Sequence, residues 1–213
     1  MKTGIIFDMD GTLWDSASQV AAAWSRITVP KLGKQVTEDD MYRTMGMPMD
    51  ELAKAIFPDR ELSELLPILE ESYQEENRYL RSHGAELYPD LIATLQQLAK
   101  TYPLYIVSNC QEGYIEAFLD YYKLEAYFED FICFGANNRP KGDNIALMIE
   151  RNHLDQGIYV GDIQADYEAA VAGGAFFIHA AYGFGTIEAD VPKLHAFREL
   201  PELLKRCPFI AKM

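Results

Sequence analysis

The sequence predicts an α/β protein with a parallel sheet and an inserted, all-helical unit. From residue 87 onward, helical stretches alternate with short apolar runs, as in parallel strands joined by helices. From residue 37 to 81 the pattern is helical, without strand-like alternation. At the amino terminus a short apolar run ends directly at Asp8, which favours a buried strand. We therefore predict a core domain of residues 1–15 and 86–213, with a helical domain of residues 16–85 inserted into it.

The individual elements follow from the same patterns. Asp15 and Ser16 are suited to cap a helix that runs to about residue 27, before Pro30 and Gly33 interrupt it. Within the insertion we expect further helices at residues 38–44, at 50–57 and from about 63, with Pro67 near the first turn of the last one. In the core, strands are expected at residues 5–7, 104–107, 131–134, 158–160 and 176–179, and helices at 90–100, 113–122, 143–151, 166–172 and near 199–206.

Composition excludes several classes of function. The chain has 213 residues, of which 49% are hydrophobic and 24% charged, as is ordinary for a globular protein. Its 33 acidic and 19 basic residues give a formal net charge of -14. Binding to nucleic acid or to an anionic membrane surface needs clustered Lys and Arg, so we expect neither partner. No uncharged apolar segment is long enough to cross a bilayer.

Cysteine usage and the amino terminus predict a cytoplasmic protein. Cys110, Cys133 and Cys207 are sparse and odd in number, which favours reduced thiols over disulfides or a zinc site. The amino terminus carries no apparent signal peptide. The four histidines show no metal-ligand spacing and are interpreted as surface or packing residues.

Polar residues follow the predicted strands where each strand ends. Asp8 and Asp10 come directly after the first strand, before a turn at Gly11. In an open parallel sheet the ligand crevice lies off the carboxyl ends of the strands, so both carboxylates are expected to face it. A plain turn or a calcium-binding loop is the alternative for this stretch taken alone.

Two further sites are predicted in the second half of the chain. Ser108 and Asn109 end a strand, and their hydroxyl and amide groups suit phosphoryl oxygens, although such a pair also makes ordinary turns. Arg139 and Lys141 precede a helix, where a cation can offset phosphate charge and orient a carboxylate. For either cation alone, an exposed loop charge is the ordinary interpretation.

The last site is the run Gly161-Asp162-Ile163-Gln164-Ala165-Asp166. Asp162 ends a predicted strand and Asp166 lies one turn into the next helix, so both can face the same crevice. A helix cap is the structural alternative. The later Tyr182-Gly183-Phe184-Gly185 stretch is interpreted as a loop rather than a phosphate-binding turn.

These four sites resemble the four motifs of the haloacid dehalogenase-like superfamily. The phosphatase branch of that superfamily has Asp-x-Asp-Gly-Thr/Val-Leu, then Ser or Thr, then Lys, then Gly-Asp-x-x-x-Asp, and all four occur here in order. One departure is Ile163, where Thr or Ser is common. The resemblance implies a Rossmann-like parallel sheet core with an inserted all-helical cap domain. It also implies a Mg²⁺-dependent phosphatase.

The resemblance assigns roles to particular residues. Asp8 is implied to attack phosphorus and form an aspartyl phosphate, while Asp10 acts as general acid and base. Ser108, Asn109 and Lys141 are implied to bind the substrate phosphate. Register leaves Arg139 open as the cation, with Lys141 favoured. The implied Mg²⁺ ligands are Asp8, Asp10 through its backbone carbonyl, and Asp162, with Asp166 in support.

The branch of the superfamily is indicated by the insertion, which resembles the cap of phosphoglycolate phosphatase-like and beta-phosphoglucomutase-like members. Residues 45–49 resemble the substrate-facing cap loop and are apolar here, with plain core packing of the methionines as the alternative. The mutases carry an Arg where Met49 aligns and a His where Val20 aligns, so a phosphatase acting on a small phosphorylated metabolite is favoured. An Asp at position 10 excludes the dehalogenase and phosphonatase branches. A mutase and a non-catalytic phosphate-binding module remain alternatives, and we expect a monomer or a homodimer.

Overall fold

The core of the protein is a parallel sheet covered by helices. The structure, a computed structural model, describes residues 1–47 and 49–206. Its strands are β1 (Thr3–Phe7), β2 (Trp14–Asp15), β3 (Glu86–Leu87), β4 (Leu104–Ser108), β5 (Phe128–Cys133), β6 (Gln156–Gly161), β7 (Phe176–Ala180) and β8 (Lys193–Leu194). Six of them form one sheet in the order β5-β4-β1-β6-β7-β8, with every pair parallel. This confirms the α/β fold class predicted from the alternating pattern.

Helices cover both faces of this sheet and form the insertion. They are α1 (Ala17–Leu32), α2 (Glu38–Thr44), α3 (Met49–Ile56), α4 (Leu62–His83), α5 (Leu91–Leu98), α6 (Tyr114–Tyr122), α7 (Phe134–Asn137), α8 (Lys141–Arg151), α9 (Gln164–Ala172) and α10 (Leu200–Arg206). Short 3-10 helices lie at Glu125–Tyr127 and Phe197–Glu199. Within the described part of the chain, no helix is both long and apolar enough to cross a membrane.

Strand β1 lies at the centre of the sheet because its side chains are apolar on both faces. Ile5 and Phe7 belong to the hydrophobic cluster on one face, and Ile6 belongs to the cluster on the other. All three are completely buried. The chain leaves β1 for β4 on one side and later adds β6 on the other, so the strand order reverses at β1. Such a reversal opens a crevice at the carboxyl ends of the strands, where Asp8 follows β1.

The helical insertion, α1 to α4, leaves and re-enters the core through a short antiparallel ladder. In this ladder Trp14 pairs with Leu87, and Asp15 pairs with Glu86. Helix α1 packs along α4, and α4 also packs against α6 of the core. The ladder holds the insertion above the crevice. The domain boundaries at residues 15 and 86 stay a prediction.

Several predicted bounds were wrong, each for a physical reason. Helix α1 continues through Pro30 to Leu32 and ends at Gly33, whose φ is 68°. A proline in the last turn disrupts little of the helix that precedes it, so it does not end the helix. Ser16 makes no side-chain cap because its hydroxyl is directed to Asp10 instead. The predicted strand at residues 131–134 begins earlier, at Phe128, and ends at Cys133. Elements of two to four residues, such as β2 and α7, are too short to show a period in sequence.

Candidate active site

The predicted site residues meet at the carboxyl ends of three neighbouring strands. Asp8 follows β1, Ser108 ends β4, and Asp162 follows β6. Lys141 is the first residue of α8 and Asp166 lies in the first turn of α9. All five are buried. The sheet therefore assembles residues that are far apart in sequence into one group at its edge.

Lys141 connects two of the carboxylates. Its Nζ atom lies 3.0 Å from Asp8 Oδ1 and 2.7 Å from Asp166 Oδ1. Burial acts to lower the pKa of Lys141, but the carboxylates of Asp166 and Asp8 outweigh it, and the pKa is raised. The side chain therefore stays a cation. Arg139, the other candidate, is exposed on the loop before α8, whereas Lys141 lies within the carboxylate group.

Asp166 accepts hydrogen bonds from one side chain and two backbone amides. Its Oδ2 atom accepts from the backbone N–H of Asp162 at 3.0 Å and from that of Ile163 at 3.2 Å. Its Oδ1 atom accepts from Lys141. These bonds fix the turn between β6 and α9, so Asp166 positions both Asp162 and Lys141. Ile163 contributes through its backbone, although its side chain lacks the hydroxyl of the motif.

Asp162 is held from the opposite side by the loop after β7. The Phe184 backbone N–H donates to Asp162 Oδ2 at 2.7 Å. His179 Nε2 lies 3.1 Å from the Asp162 carbonyl oxygen. Burial lowers the pKa of His179, so the neutral ring donates this bond. The segment interpreted from sequence as a plain loop therefore orients a site carboxylate.

Two glycines allow this loop to approach. A Cβ atom on Gly183 would lie 2.2 Å from the Gly11 carbonyl oxygen and 2.5 Å from Asp162 Cβ. Gly11 has φ of 79°, and a Cβ there would lie 2.1 Å from Asp162 Oδ2. All three distances are far below van der Waals contact, so glycine is required at both positions beside Asp162.

The carboxylate cluster of Asp8, Asp162 and Asp166 fits a divalent cation. One oxygen from each residue lies within 4.8 Å of the others. Burial and the neighbouring Asp166 raise the pKa of Asp8 to about 7, with Lys141 offsetting part of the effect. Burial and the charges of Asp166 and Asp8 raise the pKa of Asp162 well above its ordinary value. The single positive charge of Lys141 does not balance these three buried carboxylates, so a bound cation would compensate the remaining negative charge. Carboxylate oxygens are also the hard donors that Mg²⁺ prefers.

Asp10 has a different environment from the carboxylate cluster. Its Oδ1 atom accepts from Ser16 Oγ at 2.5 Å and from the Tyr114 hydroxyl at 2.6 Å. The two hydroxyl oxygens lie 2.8 Å apart. Burial raises the pKa of Asp10, and these two hydrogen bonds act to lower it. A half-buried carboxyl held in this way is suited to exchange a proton.

The second predicted site lies between the core and the insertion. Ser108 is buried and lines the cavity above Asp8. Asn109 Nδ2 donates to the carbonyl oxygen of Gly46 at 3.1 Å and so links the core to the loop after α2. Cys110 follows, and burial raises the pKa of its thiol well above its ordinary value. It is therefore a packed thiol, and Cys133 is also free, while Cys207 lies outside the described residues.

A cavity of about 70 Å³ lies between the site and the insertion. Asp8, Asp10, Ser108 and Lys141 line its floor. The side contributed by the insertion is mostly apolar and consists of Val20, Trp24, Met41, Met45, Gly46, Met47, Leu52, Tyr73 and Glu76. Met45 and Met47 thus face the cavity, as the resemblance implies for this loop. Pro48 and the side chain of Met49 lie outside the described residues.

Sequence reasoning missed several residues of the site. Ser16 was interpreted as a helix cap, and Tyr114 and Glu76 gave no local signal. For the loop after β7, the Gly-x-Gly spacing around Phe184 indicates a close approach of the loop backbone to another part of the protein. The structure brings all of the predicted residues except Arg139 to the cavity or to the carboxylate cluster.

Comparison with known proteins agrees with this geometry. Residues 5–180 match the model of the haloacid dehalogenase-like hydrolase family. A phosphoglycolate phosphatase of Aquifex aeolicus is 28% identical over 195 residues, covering 88% of this chain and 89% of that protein. One from Escherichia coli is 27% identical and covers 87% of this chain and 84% of its own. A haloacid dehalogenase-like hydrolase structure from Bacteroides fragilis superposes with a TM-score of 0.81 at 23% identity, covering 94% of this chain and all of that one.

The strand order and the converging strand ends define an α/β protein with a Rossmann-like parallel sheet core and an inserted helical unit. Because the family match spans most of the chain, this protein belongs to the haloacid dehalogenase-like hydrolases. The family predicted from the four motifs is confirmed.

Proposed function

We propose that this protein is a Mg²⁺-dependent phosphatase that hydrolyses a small phosphomonoester through an aspartyl phosphate. The observation that carries the proposal is the pairing of two differently held carboxylates on one cavity floor. Asp8 contacts Lys141 and belongs to the carboxylate cluster, whereas Asp10 is held by two hydroxyls. Two carboxyl groups in different environments can take different roles, one as the nucleophile and the other as the proton-transfer group.

In the first step the Asp8 carboxylate attacks the phosphorus of the ester. The bond to the leaving oxygen breaks as the aspartyl phosphate forms, and Asp10 gives its proton to that oxygen. The raised pKa of Asp10 favours the protonated form that this step needs. Lys141 balances negative charge beside Asp8, and Ser108 offers a hydroxyl to a phosphoryl oxygen. Asn109, which also lines the cavity, would offer its backbone N–H.

In the second step Asp10 takes a proton from water, which attacks the same phosphorus. The bond between Asp8 and phosphorus breaks, inorganic phosphate leaves, and both carboxyls return to their starting states. The apolar insertion above the cavity limits access of other water.

Asp8, Asp162 and the Asp10 carbonyl would hold Mg²⁺, with Asp166 in support. Since Asp166 already accepts from Lys141 and two backbone amides, a supporting role suits it better than direct ligation. When bound, the ion supplies positive charge to the transferring phosphoryl group. It would also compensate the excess of buried carboxylates.

The cavity favours a phosphatase over a phosphosugar mutase. A mutase must bind a second phosphate, which needs a second cation in the cavity. Lys141 is the single cation among the described residues that line it. Val20 also lines the cavity at the position where the mutases carry a His. The names of the relatives make phosphoglycolate the first ester to test.

The test is inorganic phosphate release from p-nitrophenyl phosphate, phosphoglycolate, sugar phosphates and nucleotides, with Mg²⁺ or with EDTA. We expect metal-dependent release that Asp8→Asn abolishes. Asp143→Asn, which changes an exposed carboxylate beside Lys141, is the matched control and should keep full activity. Thermal unfolding of both variants checks that the fold is intact.

An active Asp8→Asn protein would contradict the aspartyl phosphate route. Conversion of glucose 1-phosphate to its 6-phosphate isomer, with a bisphosphate activator, would support the mutase instead. If no ester releases phosphate, a non-catalytic phosphate-binding module is the better interpretation. We expect a cytoplasmic enzyme, monomeric or homodimeric.

A further inference from the structure

Two neighbouring glutamates on α4 are buried in opposite environments. Glu75 is 7% exposed and Glu76 is 5% exposed. Glu75 forms ion pairs with Arg26, at 2.9 Å, and with Arg78. Glu76 has no ion-pair partner within the described residues. The difference matters because a buried carboxylate without a cation is costly.

Glu76 faces the cavity of the proposed phosphatase. It lines this cavity together with Asp8 and Lys141, although it belongs to the insertion. The Trp24 Nε1–H donates to Glu76 Oε2. Around it, the insertion contributes mainly apolar side chains to the cavity. Among the described residues, the cavity thus combines the floor proposed to bind phosphate with one carboxylate, Glu76, in its apolar wall.

We propose that the ester's leaving group carries an ammonium group that pairs with Glu76, so that the substrate is a phosphate ester of a short amino alcohol. The inference rests on the proposed function and assigns its substrate class. Such a leaving group supplies the cation that Glu76 lacks, and its carbon chain lies along the apolar wall.

Aromatic rings beside Glu76 support the same occupant. Trp24 and Tyr73 both line the cavity, and their ring centroids lie 5.5 Å apart at an interplanar angle of 70°. The faces of aromatic rings attract ammonium groups. A carboxylate close to such rings adds its negative charge to this attraction. Trp24 is also fixed by its hydrogen bond to Glu76.

An anionic leaving group suits this wall poorly. Lys141, the one lining cation among the described residues, already contacts Asp8 and Asp166 at the floor. A carboxylate or second phosphate on the leaving group would face Glu76 without a cation between them. The structure therefore favours an amino alcohol ester over phosphoglycolate.

Three esters of matched length test the charge preference. They are 2-aminoethyl phosphate, propyl phosphate and phosphoglycolate, whose leaving groups are cationic, neutral and anionic. Assays at pH 8 keep Glu76 ionised, since burial raises its pKa to about 7. We expect kcat/KM for the aminoethyl ester to exceed that for the propyl ester by about tenfold to a hundredfold, the range of a charged hydrogen bond. Phosphoglycolate should be the poorest of the three.

Glu76→Gln isolates the carboxylate because it retains an oxygen that accepts from Trp24. We expect this variant to lose most of its preference for the aminoethyl ester over the propyl ester. Glu75→Gln is the matched control, since Glu75 is equally buried one residue away but paired with arginines. Its preference should equal that of the parent.

Binding provides a second readout that does not need turnover. In the Asp8→Asn protein, calorimetry should show tighter binding of 2-aminoethyl phosphate than of propyl phosphate, and Glu76→Gln should remove the difference. The inference is overturned if the parent and Glu76→Gln prefer the aminoethyl ester over the propyl ester equally. It is also overturned if phosphoglycolate is hydrolysed faster than the aminoethyl ester. Either result leaves the proposed phosphatase activity intact. If no ester, p-nitrophenyl phosphate included, releases phosphate, both proposals fail together.

Discussion

The Lys141 Nζ atom donates to Asp8 Oδ1 at 3.0 Å across 133 positions of the sequence. The same nitrogen contacts Asp166, so one cation lies between the proposed nucleophile and the residue that fixes the β6–α9 turn. This arrangement makes the lysine important both for the charge at the reacting centre and for the stability of the buried cluster.

Lys141→Met should therefore lose activity and stability together. Removing a positioned charge beside a phosphoryl group lowers kcat by at least about a hundredfold. Leaving Asp8 and Asp166 without their cation should cost about 3–5 kcal/mol, measured by urea unfolding in EDTA. Arg139→Ala is the control, because Arg139 is exposed. A large loss of activity in Arg139→Ala with little loss in Lys141→Met would reverse the assignment of the cation.

The position of Lys141 illustrates what sequence can predict here. Asp8, Ser108 and Asp162 each follow or end an apolar strand, and the carboxyl ends of parallel strands meet at one edge. Their convergence is therefore a property of the fold class. The choice between Arg139 and Lys141 needed the structure, since a two-residue difference at a helix start decides which side chain points inward.

Other contacts had no sign in the sequence. Tyr114 reaches Asp10 across 104 positions, and Glu76 enters the cavity from the insertion. Both depend on how α6 and α4 pack against distant elements, which local periodicity does not encode. For Ser16 the sequence predicts a helix cap, because serine is a common capping residue just before a helix. Its hydrogen bond to Asp10 depends on the tertiary structure.

Tyr114→Phe should change the pH dependence of catalysis more than substrate binding. The hydroxyl donates to Asp10 at 2.6 Å and acts to lower the pKa of that carboxyl, so its removal should raise this pKa further. Phe keeps the ring contact with Trp14, whose centroid lies 5.5 Å away. We expect the limb of the kcat profile that reports Asp10 to move to higher pH, with kcat falling about tenfold. Ser16→Ala should shift it in the same direction; an unchanged profile in both variants would exclude Asp10 as the proton-transfer group.

Glu76 should make the metal-free protein less stable as pH rises. Burial raises its pKa from 4.5 to about 7 in the folded state, with Trp24 and Gln111 opposing the shift. The folded protein thus binds more protons than the unfolded chain between about pH 4.5 and 7, and the free energy of unfolding falls across that window. The shift corresponds to about 3 kcal/mol. Urea unfolding from pH 4.5 to 8 in EDTA should show a shallower decline in Glu76→Gln, and parallel curves would contradict this role.

Gly183→Ala should weaken Mg²⁺ binding without a general loss of fold. The added Cβ would lie 2.2 Å from the Gly11 carbonyl oxygen and 2.5 Å from Asp162 Cβ, so the loop must retreat and take the Phe184 N–H away from Asp162. We expect the Mg²⁺ concentration for half-maximal activity to rise about tenfold, consistent with loss of an orienting contact to a metal ligand. Gly174→Ala is the control: Gly174 has φ of 74° and open space around it, so alanine adds backbone strain of about 1 kcal/mol but no clash. If both variants raise the Mg²⁺ requirement equally, general destabilisation explains the effect. If Gly183→Ala alone does so, the loop after β7 acts on the metal site through Asp162.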